Sequence, residues 1–267
     1  MRVTSIVENT SAKGLPVEHG LSLFIEKNDG QRVLFDMGQG SLFAQNAETL
    51  GLSVADVDVA VISHGHYDHG GGLSTFLSIN DNAKVFVHAD AFLPHYSLRE
   101  TGLAYIGLDK SLKDNGRLEF CQDITGIAAG MTLVSNVGGT CCYPAGNRLL
   151  FGPSKTMNDS FCHEQSLVVA ENDKLVLFAG CAHCGIVNIL RKVGEVAGKL
   201  PTHVLAGMHL AKNTDMRAIE SLADELIKYA DTKFYTMHCT GEEQFCRLKS
   251  YMGPQIEYLA CGDCVTI

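Results

Sequence analysis

A layered α/β sandwich is the fold this chain predicts, and three features predict it. Short apolar runs of strand length, such as Val57–Ser63 (VDVAVIS) and Lys174–Ala179 (KLVLFA), alternate with longer stretches of helical spacing. The strand signals fall in two groups, one in the first third of the chain and one from Ser166 onward, so each half contributes a sheet with helices outside it. The 267 residues, 46% of them hydrophobic and 19% charged, suffice for one large α/β domain or two small ones, and are taken as one, residues 1–267.

The elements follow in order. Arg2–Glu8 alternates as a strand, and Leu21–Lys27 with Arg32–Asp36 flank an Asn28-Asp29-Gly30 turn that predicts a hairpin. Ser41–Leu50 has helical spacing and stops at Gly51. Val57–Ser63 predicts a buried strand, Gly70–Ile79 a helix and Lys84–His88 a further strand. From Ala89 to Asn158 the pattern weakens and predicts loops and short elements over one face, with one strand at Met131–Val137. Ser166–Glu171, a turn at Asn172-Asp173 and Lys174–Ala179 restore the alternation. Helices are predicted at Ile186–Val196, Asp215–Ala230 and Glu242–Met252, with strands at His203–Ala206 and Lys233–Met237 and closing strands after them.

Composition excludes several classes. With 30 acidic against 21 basic side chains the net charge is −9, and no basic run offers a footprint for nucleic acid. The opening MRVTSIVENT lacks the apolar stretch of a secretory signal, and no run is long enough to span a membrane, so a cytoplasmic setting is expected. Disulfides among the ten cysteines would imply secretion. The two CxxC pairs, Cys181/Cys184 and Cys261/Cys264, stand too far apart for a compact zinc ribbon. Most thiols are therefore expected to be reduced, buried small hydrophobes, with Cys181 the exception.

The chemistry concentrates in Ser63-His64-Gly65-His66-Tyr67-Asp68-His69-Gly70-Gly71-Gly72. In extended backbone His64 and His66 point the same way, so one metal ion can take both imidazoles. Asp68 and His69 follow where the chain turns, which lets them swing toward a second ion, and the glycines permit close backbone approach.

HxHxDH after an apolar strand resembles the metal motif of the metallo-β-lactamase superfamily, whose fold is a four-layer αββα sandwich. Val33-Leu34-Phe35-Asp36-Met37-Gly38 is similar to that superfamily's upstream strand ending in Asp-x-Gly. Glu18-His19-Gly20-Leu21-Ser22, Gly180-Cys181-Ala182-His183-Cys184-Gly185, Gly207-Met208-His209-Leu210 and Tyr235-Thr236-Met237-His238-Cys239-Thr240-Gly241 resemble one branch. It is the branch of the dihydropterin–ribofuranosylaminobenzene-phosphate synthases. The resemblance implies that His64 and His66 bind a first divalent ion, that Asp68, His69 and His238 bind a second, and that Asp36 braces the metal loop. Cys181 stands where most hydrolases of this fold carry a bridging aspartate. A thiolate there favours zinc, with manganese or iron as alternatives should it stay out of the shell. The first ion's third ligand falls to His183, with His163 as the alternative.

The resemblance further implies a role for His209 in substrate contact or proton transfer, for Asp68 in orienting an attacking hydroxide, for Glu164 as an outer carboxylate and for His19 at the pocket. The free N–H groups of the helix beginning near Gly185, together with Lys155 or Lys212, are expected to receive an anionic group of the substrate. The function so implied is a dinuclear hydrolase acting on an ester or phosphoester of a small, anionic molecule. A pterin-transferring synthase is the alternative, followed by a non-hydrolytic iron or thiol redox or sensory protein. No nucleic-acid or membrane partner is expected, and a homo-oligomer is admitted.

Overall fold

Val33 and Phe35 face one way and Leu34 the other, and this period of two, repeated along both sheets, builds the molecule. The computed structural model describes residues 1–11, 13–211 and 213–267. β1 (Arg2–Val7), β2 (Ser22–Glu26) and β3 (Arg32–Phe35) form an antiparallel meander, its second turn closed by Gly30 N–H donating to the Lys27 carbonyl at 3.0 Å. After α1 (Leu42–Thr49), β4 (Val59–Val61) runs parallel to β3. The short α2 (Tyr67–Gly70) and α3 (Leu73–Ile79) lead into β5 (Lys84–His88), parallel to β4.

The middle of the chain holds more strand than its sequence predicts. β6 (Tyr96–Arg99) and β7 (Gly102–Tyr105) make a hairpin, and β8 (Leu118–Cys121) extends the first sheet beside β5. β9 (Ile124–Ala128) and β10 (Met131–Ser135) form the far edge of the second sheet, and β11 (Leu150–Phe151) pairs with β6. These strands escape a pattern reading because β6, β7 and β9 bury neither face fully and so carry no clean alternation.

β12 (Gln165–Glu171) and β13 (Lys174–Ala179) are antiparallel. Then α4 (Ile186–Ala197), β14 (His203–Ala206), α5 (Met216–Leu226), β15 (Lys233–Thr236), α6 (Glu242–Met252) and β16 (Ile256–Tyr258) alternate as right for parallel β13, β14, β15 and β16. The Asp215 carboxylate caps α5 by accepting from Arg217 N–H and Ala218 N–H. Gly198, at φ 68°, ends α4 in the left-handed conformation that glycine adopts at low cost. β17 (Cys264–Thr266) returns to pair with β1.

Two seven-stranded sheets result, ordered β17-β1-β2-β3-β4-β5-β8 and β16-β15-β14-β13-β12-β10-β9, with β11-β6-β7 as a small third sheet. Three cores define four layers. Phe43 and Phe76 of α1 and α3 cover the outer face of the first sheet, among Leu34, Ala60 and Val85. Ile189, Leu190, Ile219, Leu222 and Leu248 of α4, α5 and α6 cover the second, among Leu177, Val204 and Phe234. Between the sheets lie Val33, Phe35, Val61, Val176, Phe178 and Leu205. This is the αββα sandwich.

All ten cysteines are free thiols, yet only five are buried; Cys246 and Cys264 are exposed, which corrects the expectation that most are core residues. Among the described residues no helix is long and apolar enough to cross a membrane. Phe178 meets Phe35 across the two sheets at 6.0 Å between ring centroids. Phe178→Ala should therefore cost roughly 3–5 kcal/mol in a urea melt. A loss under about 1 kcal/mol would mean that the sheets do not share a packed core.

Candidate metal centre

Every parallel strand stops at the same edge of the sandwich, and the chemistry-bearing side chains occupy the segments just beyond those ends. Asp36 follows β3, His64–His69 follow β4, Cys181 and His183 follow β13, His209 follows β14 and His238 follows β15. In open parallel sheets this edge is where ligands bind. Asp36, Ala182, His209 and His238 all have positive φ, between 48° and 62°. Non-glycine residues adopt such backbone only where the surroundings impose it, and here they cluster at one place.

The imidazoles are held from behind. His64 Nδ1 lies 2.9 Å from Ser63 Oγ, which donates to Asp36 Oδ2 at 2.7 Å. Asp36 Oδ1 accepts from Ser63 N–H, and Oδ2 meets His69 Nδ1 at 2.7 Å, so this buried carboxylate braces the whole loop. His183 Nδ1 lies 3.0 Å from Asn147 Oδ1, and His238 Nδ1 lies 2.8 Å from Asn9 Oδ1. An amide oxygen accepts, so each ring donates there through Nδ1 and leaves Nε2 with a lone pair. The Nε2 atoms of His64, His66, His183 and His238 are buried and have no hydrogen-bond partner among the described residues. A buried polar atom without a partner is costly, and four in one place are the mark of a cation site.

The donors sort into overlapping groups, each with ligand atoms within 4.8 Å of one another. His64, His66 and His183 form one, His64, His69 and Cys181 a second, and His19, Asp68 and His238 a third. Burial and neighbouring imidazoles push His64 and His183 well below the ordinary histidine range, and burial does the same to His66. They are neutral at pH 7, as ligands must be. Burial alone would raise the Asp68 carboxyl, yet His69, His19 and His238 hold it well below the usual range. His69 goes the other way: against its burial, Asp36 and Asp68 push it up to about 9. Burial and the adjacent Cys239 sulfur push the Cys181 thiol up.

His163 takes a different part from His183. Its Nδ1 accepts from Gly65 N–H at 2.9 Å and its Nε2 lies 3.3 Å from Asp159 Oδ2, which also meets His95 Nδ1 at 2.7 Å. Both nitrogens are engaged, so His163 steadies the backbone between His64 and His66. A Cβ on Gly65 would collide with the Ala91 carbonyl, so only glycine fits there. Glu164 is buried and accepts from His183 N–H at 2.7 Å and Cys184 N–H at 2.8 Å, fixing the turn that presents His183.

A cavity of about 470 Å³ opens onto these groups, lined by His19, Asp68, Cys181, His183, His209 and His238 among others. His19 is 57% exposed at its side chain, with Nε2 3.2 Å from Asp68 Oδ2. The His209 ring packs 4.3 Å from His183, and its backbone N–H donates to Cys239 Sγ at 3.2 Å. Cys239, Glu8, Asn9, Asn147 and the His95–Asp159 pair were not anticipated from the sequence. Only Cys239 carried a signal, as the residue beside His238; the others are polar residues that become legible once the fold brings them near.

Two expectations about anion binding are corrected. The N-terminus of α4 does not face the cavity: Ile186, Val187 and Asn188 are buried, and Asn188 ties the helix start to Cys141 through its amide. Lys155 lies 4.7 Å over the Tyr96 ring and does not line the cavity, while Lys212 falls outside the described residues.

Two measurements check this geometry. Since His69 holds a proton up to about pH 9, divalent-metal uptake at pH 7 should release it, and affinity should rise with pH until that value. Calorimetric titration in buffers of different ionisation enthalpy reads the released proton, and uptake without release would contradict the assignment. Glu164→Ala leaves two buried N–H groups without an acceptor and should cost roughly 1–3 kcal/mol for each in denaturant melts; an unchanged midpoint would refute that role.

The comparisons with known proteins agree with this architecture. The model of the Metallo-beta-lactamase superfamily matches residues 15–158. An uncharacterized protein of Methanocaldococcus jannaschii, MJ0448, is 32% identical over 252 residues, covering 91% of this chain and 92% of its own length. The 7,8-dihydropterin-6-methyl-4-(beta-D-ribofuranosyl)-aminobenzene-5'-phosphate synthase of the same organism is 26% identical, covering 90% and 88%. The crystal structure of Tm1679, described as a metal-dependent hydrolase of the beta-lactamase superfamily, superposes with a TM-score of 0.84 at 31% identity, covering 100% of this chain and 99% of the other. On the strength of the matched model and of relatives that span almost its whole length, the chain belongs to the metallo-beta-lactamase superfamily.

Proposed function

We propose that this protein is a metal-dependent hydrolase with a dinuclear centre, acting on an ester or phosphoester. The observation that carries the reading is the convergence of four buried, unpartnered Nε2 atoms beside an ionised Asp68 at the floor of an open cavity. His64, His66 and His183 would hold a first divalent cation. Asp68, His69 and His238 would hold a second, with Cys181 beside both and His19 at the rim. Cys181, should it lose its proton to a bound cation, would place a thiolate among the imidazoles, which suits zinc better than a harder ion, with manganese and iron next. When bound, such cations supply Lewis-acid charge at a carbonyl or phosphoryl group and make water acidic enough to deprotonate near neutrality.

The chain's own residues supply the rest. Asp68, which stays ionised and accepts from His19 in the open cavity, orients the attacking water. His209, with a buried Nδ1 lacking a partner, stands where it can return a proton to the leaving group. Leu149, Leu150 and Ile106 give the cavity an apolar wall that strengthens each charge inside it.

A second reading, a pterin-transferring synthase, is favoured by the relative of that activity, which aligns over 90% of the chain. Assays of the metal-loaded protein against phosphodiesters, lactones and a pterin pyrophosphate separate the two. Hydrolytic turnover should fall by at least ~100-fold in His66→Ala and Asp68→Ala, the upper end of what losing even an outer partner of a metal site costs. Full activity in the double variant would sink the proposal, and turnover of the pterin substrate alone would favour the synthase.

A further inference from the structure

Arginines in this acidic chain are for the most part occupied. Arg2, Arg32, Arg191 and Arg247 each face a carboxylate, and Arg117 is tied to the Ala83 carbonyl and the Asn80 side chain. Of the other three, Arg217 is exposed on α5 and does not line the cavity, whereas Arg99 and Arg148 differ in their placement. Both are exposed, both line the cavity that holds the imidazoles, and among the described residues neither guanidinium has a hydrogen bond or ion pair. Their placement is set by the small third sheet. Leu150 pairs with Ser97, and Arg148 and Arg99 each stand two residues from that pair, at the same end of the sheet. Two like charges gathered at one end, neither in an ion pair, repel one another, and an anion between them relieves this; Asp68 and Asp215 also line the cavity. The same segment is anchored at the centre itself: Asn147, next to Arg148, holds His183, and Gly146 packs against the His209 ring. Tyr67, Ile106, Leu149 and Leu150 add an apolar wall to the cavity.

We propose that Arg99 and Arg148 form an anion-binding rim that recognises a phosphate group carried by an organic substrate whose body packs on this apolar wall. The inference deepens the hydrolase reading by naming the substrate class, a small organic phosphate monoester, and it replaces the helix N-terminus that the sequence suggested for this task. Guanidinium forks match phosphate oxygens two at a time, which a lysine does not do. The 470 Å³ volume suits a ligand of cofactor-fragment size.

The test is calorimetric titration of the full chain with phenylphosphonate, inorganic phosphate and benzyl alcohol, before and after treatment with a chelator. Arg99→Ala and Arg148→Ala should each weaken phenylphosphonate roughly ten- to a hundredfold, with or without chelator. The double Arg→Lys variant should fall between them and the unmodified chain, and Arg191→Ala, outside the cavity, should bind as the unmodified chain does. Benzyl alcohol should show no dependence on either arginine. Binding that ignores both arginines overturns the rim while leaving the hydrolase reading untouched. Arginine-dependent binding in a protein without metal-dependent turnover leaves the rim standing while that reading fails. Inorganic phosphate bound as tightly as phenylphosphonate overturns the organic-ester assignment.

Discussion

The hydrogen bond to Nδ1 is the constraint on which the rest of the centre depends. An imidazole has two nitrogens, and a ring free to turn can offer either one. Here Ser63, Asp36, Asn147 and Asn9 engage the Nδ1 side of His64, His69, His183 and His238. The Nε2 lone pairs that remain on His64, His183 and His238 are buried by the fold before any ligand arrives, while His69 keeps its proton. Stability is lost in the process, because buried acceptors go unmet. The hydrophobic layers on both sides of each sheet offset that loss.

Topology explains how ligands far apart in sequence converge. β3, β4 and β5 run parallel in one sheet and β13, β14 and β15 in the other, so their ends share an edge. A strand cannot deliver a side chain sideways without leaving its own conformation. Asp36, Ala182, His209 and His238 do so through positive φ, at a cost of order 1–3 kcal/mol each. Outer carboxylates keep those turns in place. Glu8 accepts from His238 N–H at 2.6 Å and from the Tyr258 hydroxyl at 2.7 Å, and Glu164 does the same work for His183. The strain and its bracing are therefore one device.

Much of this was legible beforehand, and the limits are physical. Elements that bury one full face announce themselves: β13 alternates between two cores, and α4 shows its apolar stripe at Ile186, Val187, Ile189, Leu190 and Val193. The HxHxDH run was legible because its candidate ligands are adjacent in sequence. The choice between His163 and His183 was not, since each lies just outside a strand and only the partner of each nitrogen separates them. The stretch from Ala89 to Asn158 stayed opaque because its strands are short and half-exposed, so neighbours rather than periodicity decide their conformation. Asn9, Asn147 and Asp159 were invisible for a related reason: an amide or carboxylate in a loop reads as solvated until tertiary structure buries it.

That opaque stretch has its own logic. The strands that lead to the candidate cation ligands are held on both faces by packed cores, so they have little freedom to vary. β6 and β11 give Ser97, Arg99 and Leu150 to the cavity wall, and of these only Leu150 belongs to a packed core, so the others can change without disturbing one. A cavity whose floor is rigid and whose wall is a small exposed sheet can keep one chemistry while its ligand preference shifts. The floor carries the neutral imidazoles of His66 and His183 beside ionised Asp68, whereas the wall's Arg99 and Arg148 are fixed positive charges in a chain of net charge −9. On the proposed reading an anion is attracted to these two guanidinium groups, and screening in water confines that attraction to about 10 Å. The proposed rim would thus select by charge at the mouth, ahead of the chemistry proposed for the groups behind it.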